Sequence, residues 1–283
     1  MLQIRSLHPL FAGQVTGVDL RRPLPEADLA AVRDAFERLS VLVFPAQDLD
    51  DAAQVAFSRL LGPLEATRGG APGAGSPTIV LSNIGPGGSI VPPTDKQVLN
   101  NRANRHWHHD SSFKPVPARA SLLHAREVPS AGGDTEFAST RAAWAALPPG
   151  LRRAARGRVA LHDFGWSRSR VAPELVSEQE RADWPPVRQA VVLDGPHGPA
   201  LYLGAHARSI EGMEEGEGRA LIERLMEHAT RPRLVYAHRW RPHDLVLWDN
   251  RAVLHRATPF ASTTERRHMV RTTVAGEGPT LAA

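Results

Sequence analysis

Asp244-Leu245-Val246-Leu247-Trp248 and Met269-Val270-Arg271-Thr272-Thr273-Val274 are short runs rich in apolar and β-branched residues, each bounded by polar or turn-forming neighbours. Such runs read as strands. Working outward, similar runs recur at 41–44, 78–82, 119–126, 158–163, 187–193, 200–203 and 233–236. Asp194-Gly195-Pro196-His197-Gly198 has the composition of a hairpin turn between two of them. Many short strands punctuated by Gly and Pro predict a sandwich or barrel rather than a parallel α/β sheet. Helices are predicted where apolar residues fall at helical spacing: Leu29, Val32, Phe36 and Leu39, then 51–61 up to Gly62-Pro63, and about 215–228. The expected class is mainly β with flanking helices (α+β).

A chain of 283 residues, 42% hydrophobic and 23% charged, buries a core, and one domain over 1–283 is expected. There is no cysteine, so any metal is held by nitrogen and oxygen, in keeping with a reducing compartment. No signal-like N-terminus and no long apolar run is present, which predicts a cytoplasmic protein without a membrane segment. The formal charge is +4, yet the arginines are scattered from Arg5 to Arg271 among nearly as many acids. That dispersion argues against nucleic acid as a partner. The stretch 68–104, opening on Arg68 and rich in Gly, Pro and Ser, reads as a mobile loop or lid, or equally as a plain surface loop.

Chemistry concentrates at His106-Trp107-His108-His109-Asp110. On an extended strand His108 and Asp110 point the same way and can share one metal ion. Two imidazoles and one carboxylate on one face leave three coordination positions open, enough for a bidentate cosubstrate and dioxygen. By itself His-x-Asp is a weak pattern, produced by any histidine-rich stretch. Context comes from Gly132-Gly133-Asp134-Thr135-Glu136-Phe137, from Trp248-Asp249-Asn250-Arg251 running into Leu254-His255-Arg256, and from Arg266, Arg267 and Arg271.

With these motifs in this order, and with Trp107-His108-His109-Asp110-Ser111-Ser112-Phe113, the chain resembles the taurine dioxygenase and 2,4-dichlorophenoxyacetate dioxygenase family almost end to end. The aryloxyalkanoate branch is the nearer. The resemblance implies a double-stranded β-helix (jelly-roll) core and an oxidoreductase using Fe(II) and the cosubstrate 2-oxoglutarate. It implies that His108, Asp110 and His255 bind the iron, and that Thr135 and a terminal arginine grip the distal carboxylate of 2-oxoglutarate. Arg266 sits nearer the family's usual spacing. Arg267 is preferred, because it shares a strand face with Met269 and Arg271. Arg271 is left for the substrate anion or the other cosubstrate carboxylate. Asn104 matches a family position near the metal, although it is also an ordinary turn asparagine.

The implied reaction hydroxylates a small anionic organic substrate with dioxygen, in the first place an aryloxyalkanoate whose ether then breaks. Alternatives are an alkylsulfonate or alkyl sulfate, a biosynthetic carboxylic or amino acid, a non-catalytic metal or ligand-binding barrel, and a zinc hydrolase. A homo-oligomer is also implied. Of the remaining candidates, His206 reads as a buried histidine bonded to backbone, and His109 faces away from the metal. His106 lacks a family match as ligand, while Trp107 and Trp248 read as core or cavity wall.

Overall fold

The computed structural model describes residues 1–66, 75–172 and 176–281. Its first half runs β1 (Gln3–Ser6), β2 (Gly13–Thr16), α1 (Glu26–Leu39), β3 (Val41–Phe44), α2 (Asp51–Arg59), β4 (Thr78–Ser82), α3 (Lys96–Ala103), β5 (Ala120–Glu127), β6 (Thr135–Ser139), α4 (Thr140–Ala145) and α5 (Pro149–Ala155). There follow β7 (Val159–His162), α6 (Phe164–Ser169), α7 (Glu178–Asp183), β8 (Val187–Ala190), β9 (Val192–Leu193), β10 (Ala200–Leu201), β11 (Ala207–Ile210), α8 (Glu215–Ala229), β12 (Val235–His238), β13 (Leu245–Asp249), β14 (Val253–Ala257) and β15 (His268–Val274). The protein is a mixed α and β structure. No helix among the described residues is long and apolar enough to cross a membrane.

A seven-stranded sheet in the order β1-β2-β3-β13-β5-β15-β4 is the largest element. Its central strands read as unbroken apolar runs because both faces are covered. On one face Leu42, Leu247 and Leu122 stand opposite one another across three strands and are fully buried with Phe36 of α1 and Phe57 of α2. Each such leucine contributes about 2 kcal/mol on removal from water. The alternate residues Val43, Val246 and Leu123 enter the second face, where Phe137 and Val253 from β6 and β14 join the same apolar cluster. Those two strands belong to a three-stranded sheet, β12-β6-β14, whose far side is closed by α8 through Ala138, Leu254, Leu221 and Ile222. Two sheets thus face each other with helices outside both. Strand alternation also turns Ser121, Trp248 and Arg271 toward the space between them.

Several sequence expectations shift. Helix α2 stops two residues early, at Arg59, and 233–236 opens as a 3-10 turn at Pro232–Leu234 before β12 begins. The run 187–193 is two strands interrupted at Val191. Residues 96–103, expected within a loop, form α3: the Asp95 carboxylate accepts from Gln97 N–H at 2.7 Å and caps the helix start. Polar Asn100 and Asn101 hide that helix from hydrophobic periodicity. Arg68 lies outside the described residues.

Two buried histidines tie stability to pH. His162 is lowered to about 3 by burial, and His124 to about 4, chiefly by burial and against its bond to the Gln47 carbonyl. Both imidazoles take up protons near pH 6.5 only after unfolding. Their contribution is therefore complete above that pH and is lost as pH falls toward about 4 and then 3. We expect the thermal midpoint of the metal-free protein to drop steadily between about pH 6.5 and pH 4, with a shallower slope for His162→Phe. A midpoint level across that window contradicts the assignment.

Candidate active site

His108 and His255 are joined before any side chain is considered. They form an antiparallel backbone bridge, each N–H donating to the other's carbonyl at 3.0 Å, which sets the imidazole centroids 4.1 Å apart. Asp110 completes the group: its Oδ1 is 3.8 Å from His108 Nε2 and its Oδ2 is 3.7 Å from His255 Nε2. All three residues are buried, and their donor atoms lie within 4.8 Å of one another. The strand reasoning behind His-x-Asp needs correction here. Only His108 is bridged; Asp110 lies in a turn, and Ser111 follows with φ +56°. His109 does face away, stacked on Tyr202 at 4.4 Å.

The donor set fits a divalent metal. His108 Nδ1 is 2.8 Å from the His106 carbonyl, which accepts its proton and leaves Nε2 as the free lone pair. Burial, the largest effect on each, lowers both ligand imidazoles, so they are neutral near pH 7. Burial pushes the Asp110 carboxyl up, but Arg271, His255, His108 and the Ser121 hydroxyl overturn it and hold the carboxyl far below its usual range. A metal therefore meets two neutral nitrogens and one anionic oxygen.

Asp110 is itself held on every side. Arg271 Nη1 donates to Oδ1 at 2.6 Å and Ser121 Oγ donates to Oδ2 at 2.7 Å. The Asp110 backbone N–H donates to Asn250 Oδ1 at 3.2 Å, Asn250 Nδ2 donates to Ser121 Oγ at 2.9 Å, and Trp248 Nε1 donates to the same Asn250 oxygen at 3.0 Å. Ser121 and Asn250 escaped the sequence reading. Asn250 stands inside a quoted motif, whereas nothing marks Ser121 except its inward place on β5.

One cavity is lined jointly by His108, His255, Thr135, Arg267 and Arg271, with Asn101, Arg102, Asn104 and Arg105 from α3 and its end. Its described lining carries four arginines and no carboxylate. Thr135 is buried and its hydroxyl accepts from Trp240 Nε1 at 3.0 Å, so its own proton is free to donate. Arg267 lies against the glycine turn before Thr135: a Cβ placed on Gly133, where φ is +69°, would sit 3.4 Å from Arg267 Nε. Its Nε has no partner, and burial lowers the guanidinium to about 10 against the pull of Asp134. Arg266 instead lies at the surface, forked on Glu127 at 2.6 and 3.0 Å.

Asn104 both caps α3 and reaches the cavity, and its carbonyl accepts from Ala257 N–H at 2.8 Å. His206 is buried as expected, but its partner is the Ser112 hydroxyl at 3.1 Å rather than backbone, and its ring stands 6.4 Å from His108. Gly204 permits that approach, since a Cβ there would come within 3.1 Å of the His108 α-carbon. Trp107 is partly buried against the core under α8, with the Arg256 guanidinium 4.6 Å from its ring centroid, while Trp248 lines the cavity.

The family model for "Taurine catabolism dioxygenase TauD, TfdA family" matches residues 3–273. The chain belongs to this family. Membership makes the protein a 2-oxoglutarate-dependent dioxygenase of the Fe(II) type, and His108, Asp110 and His255 form the metal-binding triad of this TauD/TfdA enzyme. It is 39% identical to the alpha-ketoglutarate-dependent 2,4-dichlorophenoxyacetate dioxygenase of Burkholderia sp. (strain RASC), over 95% of this chain and 93% of that one. It is 34% identical to a (S)-phenoxypropionate/alpha-ketoglutarate-dioxygenase of Sphingobium herbicidovorans, over 97% and 95%. A crystal structure of AAD-2 in complex with Mn(II) and N-oxalylglycine superposes with a TM-score of 0.92 at 39% identity, covering all of both chains.

The lattice around Asp110 predicts a metal phenotype for a residue that touches no metal. Asn250→Ala removes the acceptor for the Asp110 N–H and the Trp248 indole together, and Fe(II) or Mn(II) affinity is expected to fall by roughly 10- to 100-fold. Calorimetric titration of the folded variant measures it. An affinity equal to wild type shows that Asn250 does not orient the carboxylate.

Proposed function

We propose that this dioxygenase hydroxylates a small organic anion, in the first place an aryloxyalkanoate, at the carbon beside the ether oxygen. The observation that carries this reading is the arginine-lined, carboxylate-free cavity on which the triad opens. Bound Fe(II) supplies dioxygen activation coupled to the oxidative decarboxylation of 2-oxoglutarate to succinate and carbon dioxide. The chain's own residues position the reactants. Arg267 offers a guanidinium fork to the distal carboxylate of 2-oxoglutarate, and the Thr135 hydroxyl, already accepting from Trp240, donates to it. Arg271 presents its remaining N–H groups to the substrate anion, and Asn104, which lines the same cavity, offers an amide.

Insertion of hydroxyl at a carbon that also bears an aryl ether oxygen gives a hemiacetal, which collapses to a phenol and a carbonyl acid. The relatives named for aryloxy acids support this choice of substrate. The two facing sheets support a double-stranded β-helix core, and a family match spanning 3–273 supports one domain.

Oxygen uptake and succinate release with Fe(II), 2-oxoglutarate and a panel of phenoxyacetates, phenoxypropionates, alkanesulfonates and alkyl sulfates test the reading. Aryloxy acids are expected to accelerate both. If no acid accelerates either, the proposal fails. The cosubstrate assignment has its own check in anaerobic titration of the visible Fe(II)–2-oxoglutarate band. Arg267→Ala is expected to weaken 2-oxoglutarate binding by roughly 10- to 150-fold, the loss of a charged, two-point hydrogen bond worth about 1.5–3 kcal/mol. Arg266→Ala is expected to change it less than about threefold, as for an exposed ion pair. Equal effects of the two substitutions overturn the preference for Arg267.

A further inference from the structure

Arg168 is a cation that the roles above leave unused. It stands on α6, where Nη1 donates to the Asn100 carbonyl of α3 at 3.3 Å and the guanidinium lies 5.3 Å from the Phe164 ring centroid. From Phe164 a run of rings leads to the metal ligands: Phe164 to Phe113 at 4.8 Å, Phe113 to His206 at 5.0 Å, His206 to His108 at 6.4 Å. Arg168 is thus fastened from α6 to the helix whose Val98, Asn101 and Arg102 line the cavity. Its Nε is buried without an acceptor, and among the described residues its hydrogen bond goes to a backbone carbonyl and to no carboxylate. Burial, then repulsion from Arg271, lowers the guanidinium to about 10, with Asp110 and Glu180 opposing. A half-buried cation with no carboxylate bonded to it has room for an anion from outside.

Arg271 is differently placed. One of its edges is already committed to Asp110 at 2.6 Å, which leaves it a partial grip on anything else. When the carbon to be oxidised carries a carboxylate, that carboxylate comes within a bond of the reacting atom, in the cavity that Arg271 lines and that α3, the helix Arg168 is bonded to, helps to wall. Resting on the proposed function, we infer that Arg168 is a specificity-determining residue which clamps the substrate's anionic group together with Arg271. The clamp favours acids whose carboxylate is bonded directly to the oxidised carbon.

The test is anaerobic titration of the Fe(II)–2-oxoglutarate band with phenoxyacetate and with its neutral amide, for wild type, Arg168→Gln and Arg168→Lys. Arg168→Gln is expected to weaken phenoxyacetate binding about 30-fold, with 2-oxoglutarate affinity and amide binding unchanged; Arg168→Lys recovers most of the loss. A change below about threefold, or equal losses for acid and amide as lost packing would give, overturns the inference. A wild-type protein that binds no acid sinks the proposed function and this clamp together. Acid binding by wild type that Arg168→Gln leaves intact sinks the clamp alone.

Discussion

A bare carboxylate buried between two sheets is the constraint around which this protein is organised. Asp110 is 4% exposed, and an isolated charge so placed is costly. The cost is offset locally by the guanidinium of Arg271 and the hydroxyl of Ser121, beside the two neutral imidazoles. Each of these groups comes from a different part of the chain: β15, the bridge between His108 and β14, and β5. The charge can be buried only when all of them are in place. Ligand geometry and sheet assembly are in that sense one event, and the metal enters a site whose repulsions the fold has already settled.

The backbone bridge between His108 and His255 supplies the geometric half of the same arrangement. Two main-chain hydrogen bonds bring together residues far apart in sequence, before rotamers enter. Asp110 then turns back through the left-handed Ser111, a conformation an extended strand does not use. Thr135 and His255 lie on neighbouring strands, where β6 pairs with β14, and so Thr135, proposed above to hold the cosubstrate, keeps a fixed register with His255.

Much of this was legible in the chain because strand alternation and ligand chemistry act over short ranges. Short apolar and β-branched runs located β3, β13 and β15, and strand alternation favoured Arg267 over Arg266; the structure puts Arg267 on the cavity and Arg266 at the surface on Glu127. What stayed hidden depends on contacts distant in sequence. Ser121 is one serine among many until β5 sits beside β13 and β15. The role of Asn250 requires knowing that the Asp110 N–H needs an acceptor. Helix α3 was missed because its polar face lines a cavity and gives no apolar stripe, and α6 and α7 because six residues are too few to show a helical period. Arg168 emerges only once α6 is seen to lean on α3.

Arg267 and Asn83 are joined by reciprocal bonds: the Asn83 N–H reaches the Arg267 carbonyl at 3.2 Å, and the Arg267 N–H reaches Asn83 Oδ1 at 2.8 Å. Asn83 also donates to the Ser262 and Glu265 carbonyls, both at 2.8 Å. The chain is therefore pinned to the cosubstrate side at the residue where it leaves β4 for α3. Beyond that pin the wall is built from α3 and its end, which contribute no strand to the seven-stranded sheet, and α6 packs behind it. The cavity is divided into an inherited half and an adjustable half. Substitutions, insertions or deletions between 84 and 105 can remodel what is admitted while the oxidising apparatus keeps its register, a division of labour that lets one scaffold serve a succession of different acids.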